Sequence, residues 1–273
     1  MSVAGSELHY ERRGRGAPLL LIQGMGANAA HWGEPFLTEL ERDFELVLYD
    51  HRGVGRSAPL QGTDVTVPGL AADALGLLDA LGIAAAHVLG ISMGGMVAQE
   101  LALTAPERVL TLTLGCTYCG GPDARFTDDR VVNALAMAIL SGDLERRLRA
   151  GWGFNVSEAF AGGEGNFERF SEVAMQYPIA LEVIVAQVQA VIGHDTSQRL
   201  AGICAPTLVV HGSDDQMLAA VNGELVAGLI PGARLELLDG VGHLFFWEQP
   251  ERAAGLIAEH AAPARRPAPP SSR

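Results

Sequence analysis

Six short apolar runs, each closed by a turn residue, constrain this chain more than any other feature. They are "APLLLIQG" (17–24), "FELVLYD" (44–50), "AHVLG" (86–90), "RVLTLTLG" (108–115), "PTLVVHG" (206–212) and, more weakly, "ARLELLDG" (233–240). Each is rich in leucine or β-branched residues and apolar at consecutive positions, the pattern of a strand with both faces buried. Helical patterns separate them. Residues 69–81 carry Leu70, Ala74, Leu77, Leu78 and Leu81, and residues 217–229 carry Met217, Val221, Leu225 and Leu229. Strand and helix in alternation predict an α/β domain, with a parallel sheet covered by helices on both faces.

The alternation stops between about 117 and 200. "DDRVVNALAMAIL" (128–140) opens on acidic residues and keeps one apolar face. "PIALEVIVAQVQAVI" (178–192) is apolar almost all round, which predicts burial on both sides. "GFNVSEAFAGGEGN" between them reads as a flexible loop. The expected organisation is a core from 1–116 and 201–262, a helical insertion at 117–200 lying over the sheet, and a disordered Pro- and Ser-rich tail at 263–273.

Composition removes whole classes of chemistry. All nineteen basic residues are arginine, so a Walker phosphate loop, a pyridoxal Schiff base and a lysine nucleophile are excluded. A net charge of −13 argues against a nucleic-acid partner, whose phosphates demand cations. No apolar stretch is long enough to cross a bilayer, and "MSVAGSELHY" lacks the features of a secretory signal, so no membrane partner and a cytoplasmic location are expected. Cys116 and Cys119 form a C-x-x-C, but glycines and Pro122 follow it where a redox motif opens a helix, and no matching ligands accompany it. They read as small buried thiols at a strand end.

Residues 89–96, "LGISMGGM", stand between a strand and the helical pattern "MVAQELALTAPE". Gly90-Ile91-Ser92-Met93-Gly94 is therefore G-x-S-x-G at a strand-to-helix turn. The glycines let strand and helix approach, and the serine is lifted clear of the sheet beside a helix N-terminus. A serine nucleophile needs a base, and the base needs an acid. Of eight histidines, His87 and His211 read as structural residues of strands, and His9 and His260 lie near the chain ends. His243 sits in "DGVGHLFFWEQPE", a glycine-rich loop after the last strand, at the sheet edge where open α/β folds place their sites. Asp214 and Asp215 follow the strand 207–211, and either can serve as the acid while the other caps a helix. The amides of Met93, directly after the serine, and of Met25, in "QGMGANAAHW", are the expected oxyanion donors.

Together these residues resemble the α/β-hydrolase family, from about residue 6 to 260. "LLIQGMG", "YDHRGVGRS", "GISMGGM", "VVHGSDDQ" and "GVGHLFFWEQPE" occur in the family's order. The resemblance implies a mostly parallel, doubly wound sheet of about eight strands with a helical cap inserted after the sixth, matching 117–200. It implies Ser92 as nucleophile, His243 as base and Met25 and Met93 as oxyanion donors. It selects Asp215 over Asp214, because the acid lies three residues beyond the glycine that ends its strand, here Gly212. Many members carry His-Gly where this chain has Gln23-Gly24; Gln23, Gly24 and Leu244 are the expected substrate contacts. Asp50 and Arg52 are expected scaffold.

The implied activity is cleavage of carboxylic esters or lactones of small, mainly apolar molecules through an acyl-enzyme, with no metal or organic cofactor. Cofactor-free perhydrolases and haloperoxidases, and hydrolases of carbon–carbon bonds, share the same triad. A small-molecule receptor of the same fold is the non-enzymatic alternative. Ser92 sets the chain apart from the dehalogenases and epoxide hydrolases of this fold, which use an aspartate nucleophile.

Overall fold

In the computed structural model, which describes residues 1–3, 6–60 and 65–265, all six apolar runs become strands. The N-terminal segments β1 (Ser2–Val3) and β2 (Ser6–Glu7) form a separate antiparallel pair. The main sheet consists of β3 (Tyr10–Gly14), β4 (Ala17–Ile22), β5 (Phe44–Tyr49), β6 (Ala86–Ile91), β7 (Val109–Gly115), β8 (Thr207–Gly212) and β9 (Arg234–Leu238). Their spatial order is β3-β5-β4-β6-β7-β8-β9, with β3 antiparallel to β5 and every other pairing parallel. The described sheet thus has seven strands against an expectation of about eight, because β1 and β2 pair with each other and not with the sheet. β3, "YERRG", has no apolar run; it is an edge strand whose Arg12 and Arg13 reach Glu45, Glu41 and Glu34.

Between the strands lie α1 (Glu34–Leu40), α2 (Val67–Ala80) and α3 (Met93–Thr104). Residues 117–200 contain α4 (Asp129–Leu140), α5 (Leu144–Asn155), α6 (Glu158–Ala161), α7 (Asn166–Gln176) and α8 (Leu181–Ile192), and no strand. The chain returns through β8, α9 (Val221–Leu229), β9, α10 (Phe245–Glu248) and α11 (Pro250–Ala261). No single helix among the described residues is long and apolar enough to cross a membrane; α7 and α8, which pass that test together, are bent by 103°.

The consecutive apolar pattern has a direct cause. Alternate side chains of a strand point to opposite faces, and both faces here are covered. Leu20 and Ile22 belong to a core cluster with side chains of α2, α3 and α9, while Leu19 and Leu21 belong to a second one with side chains of α1 and α11. Each such buried side chain contributes roughly 1.5–3 kcal/mol relative to an exposed one, so Leu19, Leu20, Leu21 and Ile22 are all under the same demand.

Three expectations change. The helix predicted from 217 begins at Val221, because the amides of Met217 and Leu218 turn to the carboxylate of Asp215. The stretch 178–192 is not buried on both sides: Val183, Ala186, Gln187 and Ala190 face inward, whereas Leu181, Val185 and Ile192 stand exposed. The predicted loop at 153–166 holds α6, capped by the Ser157 hydroxyl accepting from the Phe160 N–H. A small aromatic cluster seats these helices. Trp152 packs 4.9 Å from Phe170 and 6.3 Å from Trp247, centre to centre. Of the tail, Ala262–Arg265 form a short 3-10 turn, and residues 266–273 lie outside the described residues.

Candidate active site

Two glycines let β6 run into α3 with a serine on the bend. A Cβ on Gly90 would lie 2.2 Å from the carbonyl oxygen of Gly94, and one on Gly94 would lie 2.1 Å from that of Ile22. Only glycine allows strand, turn and helix to come so close. Ser92 between them is held at φ 55° and ψ −122°, a conformation that costs a non-glycine residue about 1–3 kcal/mol. Its backbone is fixed from both directions: its N–H donates to Gly115 O at 2.9 Å, and its carbonyl accepts from Thr117 Oγ1 at 2.7 Å. The side chain makes no capping bond and stands half-buried in the wall of a cavity of about 260 Å³.

His243 lines the same cavity from the loop after β9 and is buried. The residues on either side of it are tied to the helical segment. Gly242 N–H donates to Glu248 Oε1 at 2.8 Å, and Glu248 also accepts from the Ser157 N–H at 2.9 Å and hydroxyl at 2.5 Å. Leu244 N–H donates to Asn155 O at 2.7 Å. The imidazole position is therefore set by backbone bonds and not by its own ring contacts alone.

The structure separates the two candidate acids. Asp215 Oδ2 lies 2.7 Å from His243 Nδ1, while Asp214 is exposed and accepts from the Ser213 hydroxyl. Asp215 Oδ1 accepts from the N–H groups of Met217 and Leu218 at 2.8 and 2.9 Å. Burial pushes this carboxyl upward, but the His243 imidazole, and then His211 beside it, hold it well below the usual carboxylate range. An ionised Asp215 fixes the His243 tautomer with a proton on Nδ1, leaving Nε2 free to accept one. His211, read from sequence as a structural strand residue, lies with Nε2 3.1 Å from Asp215 Oδ2 and 2.8 Å from Leu218 O.

The loop after β4 leaves the amide of Met25 open. Gly24 N–H is taken by its neighbour Gln23 Oε1 at 2.8 Å, and Gly26 N–H by Gln187 Oε1 of α8 at 2.9 Å. The amides of Met25 and Met93 donate to no acceptor among the described residues. Asp50 braces this loop: Oδ1 accepts from Ala29 N–H and Oδ2 from Arg56 N–H. Arg52 pairs with buried Asp73. Both act as the scaffold expected of them.

Gln23, Gly24, Met25 and Leu244 all line the cavity. So do His31, Arg147, Asn155 and Tyr177, which sequence reasoning did not single out. His31 sits six residues beyond Met25 in the same loop, and burial pulls its imidazole down to about 4, so it is neutral near pH 7. Arg147, Asn155 and Tyr177 belong to 117–200, and nothing local in the sequence marks which of that segment's residues face the sheet.

Cys116 joins His211 and Asp215 as a third potential metal donor, their ligand atoms within 4.8 Å of one another. A carboxylate has about four acceptor positions, and those of Asp215 are engaged by Met217, Leu218, His243 and His211. Burial also pushes the Cys116 thiol well above its ordinary value, which keeps it a poor ligand. The donor set does not suit a cation. Cys119 is likewise buried and pushed up to about 11.

Comparison with known proteins gives a consistent family. Residues 17–250 match the family model for the alpha/beta hydrolase fold. The chain is 32% identical, over 88% of its length and 89% of the relative's, to a protein of Azorhizobium caulinodans assigned as carbamate hydrolase RutD. It is 31% identical to the poly(3-hydroxyalkanoate) depolymerase of Ectopseudomonas oleovorans, over 88% and 82% of the two chains. The enol-lactonase of Burkholderia xenovorans LB400 superposes with a TM-score of 0.82 at 25% identity, covering 95% of this chain and 98% of its own.

Proposed function

Because the chain belongs to the α/β-hydrolase fold family, we propose that this hydrolase cleaves carboxylic esters or lactones of small, mainly apolar molecules through a Ser92 acyl-enzyme. The observation that carries this reading is the pairing of His243 Nδ1 with buried Asp215 at 2.7 Å, in the wall of a cavity that Ser92 also lines. Ser92 Oγ attacks the substrate carbonyl as His243 Nε2 takes its proton. The oxygen, now negative, is held by the amides of Met25 and Met93. The tetrahedral intermediate collapses, the C–O bond to the leaving group breaks, and His243 returns the proton to the departing alcohol. Water then attacks the acyl-serine by the same route and releases the acid. Each step uses only groups of this chain and water.

The lining supports the substrate class. Ile91, Leu135, Ile139, Leu148 and Ile184 give the cavity apolar walls, and its volume of about 260 Å³ suits a small molecule. The test is hydrolysis of p-nitrophenyl esters of increasing acyl length by the protein and by Ser92→Ala. We expect a clear wild-type rate that falls by roughly 10⁴-fold or more in the variant. A folded wild type that is inert on every ester, lactone and p-nitrophenyl carbamate tested would overturn the reading.

A further inference from the structure

We propose that the cavity holds an anion subsite at Arg147, so that the molecule it accepts carries a carboxylate remote from the reacting carbonyl. The proposal rests on the reading of Ser92 and His243 as the reacting end of the cavity.

Geometry supplies the first argument. α5 turns Arg147, Leu148, Gly151 and Asn155 toward the cavity, one face of the helix. The Asn155 carbonyl holds the N–H of Leu244, next to His243, so this end of α5 lies at the reacting histidine. Arg147 stands eight residues earlier, about 12 Å along the helix axis. A ligand that spans these positions has one end at the serine and the other at the guanidinium.

Charge supplies the second. Arg147 is half-buried, and its guanidinium makes no hydrogen bond or ion pair among the described residues. Its neighbour does otherwise: Arg149 pairs with Glu145 at 2.9 Å and lies over the Phe167 ring. No aspartate or glutamate lines the cavity, and its His31 is neutral near pH 7. In a chain of net charge −13 the cavity is thus locally cationic. A partly desolvated guanidinium without a partner is unfavourable. A ligand carboxylate satisfies it with two parallel N–H···O bonds, a geometry that the planar fork matches. Tyr177, also in the lining, makes no hydrogen bond through its hydroxyl among the described residues.

The experiment reads binding, so that it does not depend on turnover. Calorimetry with the Ser92→Ala protein would compare monomethyl half-esters of C4 to C8 dicarboxylic acids with the matching dimethyl esters. We expect the half-ester to bind roughly 10- to 100-fold tighter at the best length. That ratio should collapse toward one with Arg147→Gln added and recover in part with Arg147→Lys. An unchanged ratio across the three proteins, or no binding of any half-ester to folded Ser92→Ala, would overturn the subsite. If the Arg147-dependent ratio appears while the wild type cleaves no half-ester and none of the p-nitrophenyl esters, lactones or carbamates, the subsite stands and ester hydrolysis falls. If neutral esters are cleaved in a Ser92-dependent way but the ratio ignores Arg147, hydrolysis stands and the subsite falls.

Discussion

Asp214 and Asp215 are one peptide bond apart, yet they meet different surroundings. Asp214 faces solvent, where its charge is screened and worth little to anything nearby. Asp215 is buried and surrounded by two backbone amides and two imidazoles. Replacing each with asparagine therefore separates two roles. Asp214→Asn should leave kcat on the best p-nitrophenyl ester within about twofold, as surface substitutions away from a site do. Asp215→Asn should lower kcat by roughly 10⁴-fold, because a side-chain amide no longer holds the proton on His243 Nδ1. An Asp215→Asn protein whose kcat stays within about twofold of wild type would remove Asp215 from the mechanism. The residues alone left Asp214 and Asp215 open; only the resemblance to the family, which implies an acid three residues past the glycine that ends its strand, here Gly212, selected Asp215. The contact from His211 was legible in neither. A histidine ending an apolar strand looks like any other strand residue until the loop after it curls back.

The same contrast between sequence and surroundings governs the helices. Glycine within a helix ordinarily costs up to about 1 kcal/mol relative to alanine. Gly255, exposed in α11 with no atom within 4 Å of where a methyl group would stand, should follow that rule. Gly255→Ala is expected to stabilise by about 0.5–1 kcal/mol. Gly94 in α3 should reverse it, because its Cβ would press on the carbonyl oxygens of Ile22 and Gln23, at 2.1 and 2.6 Å. Forcing α3 off β4 should destabilise by about 1–3 kcal/mol and disturb Ser92 and Met93 together. Denaturant midpoints and ester kinetics on both variants decide the matter; a Gly94→Ala protein as stable and active as wild type would show that the elbow has room to spare. The helix after Ser92 was readable from its apolar pattern. The outward face of α8 was not, because a helix apolar all round gives no phase, and only its packing shows that Val183, Ala186 and Ala190 face inward while Leu181 and Ile192 do not.

Across the whole molecule, what was legible was what is local. Six strands and the Ser92, Asp215 and His243 motifs each occupy a few consecutive residues, the three motifs at strand ends. Arg147 reaches the cavity, and Gln187 the amide of Gly26, only through the tertiary packing of residues 117–200, a long-range arrangement with no short motif. Burial on that scale also decides how the protein meets acid. His31 and His194 are buried and neutral, and burial lowers each to about 4; His51 is lowered for the same reason. An unfolded histidine takes up a proton near pH 6.5. Between about 6.5 and 4 the unfolded chain therefore binds more protons than the folded one, and stability falls as pH falls. By linkage the penalty is roughly 2 kcal/mol at pH 5 for each of His31 and His194, a large share of an ordinary domain's stability of about 5–15 kcal/mol. Asp215 does not contribute in this window. Its folded value is depressed, so its stabilisation is fully present above the unfolded carboxyl value of about 3.9 and is lost only as pH drops below it. The thermal midpoint should therefore fall between pH 7 and pH 5. His194→Gln, which removes one titrating ring, should make that fall smaller by several degrees even if the variant is less stable at pH 7. An identical pH dependence in variant and wild type would mean that acid acts elsewhere, and the carboxylate ion pairs of the surface would be the next place to look.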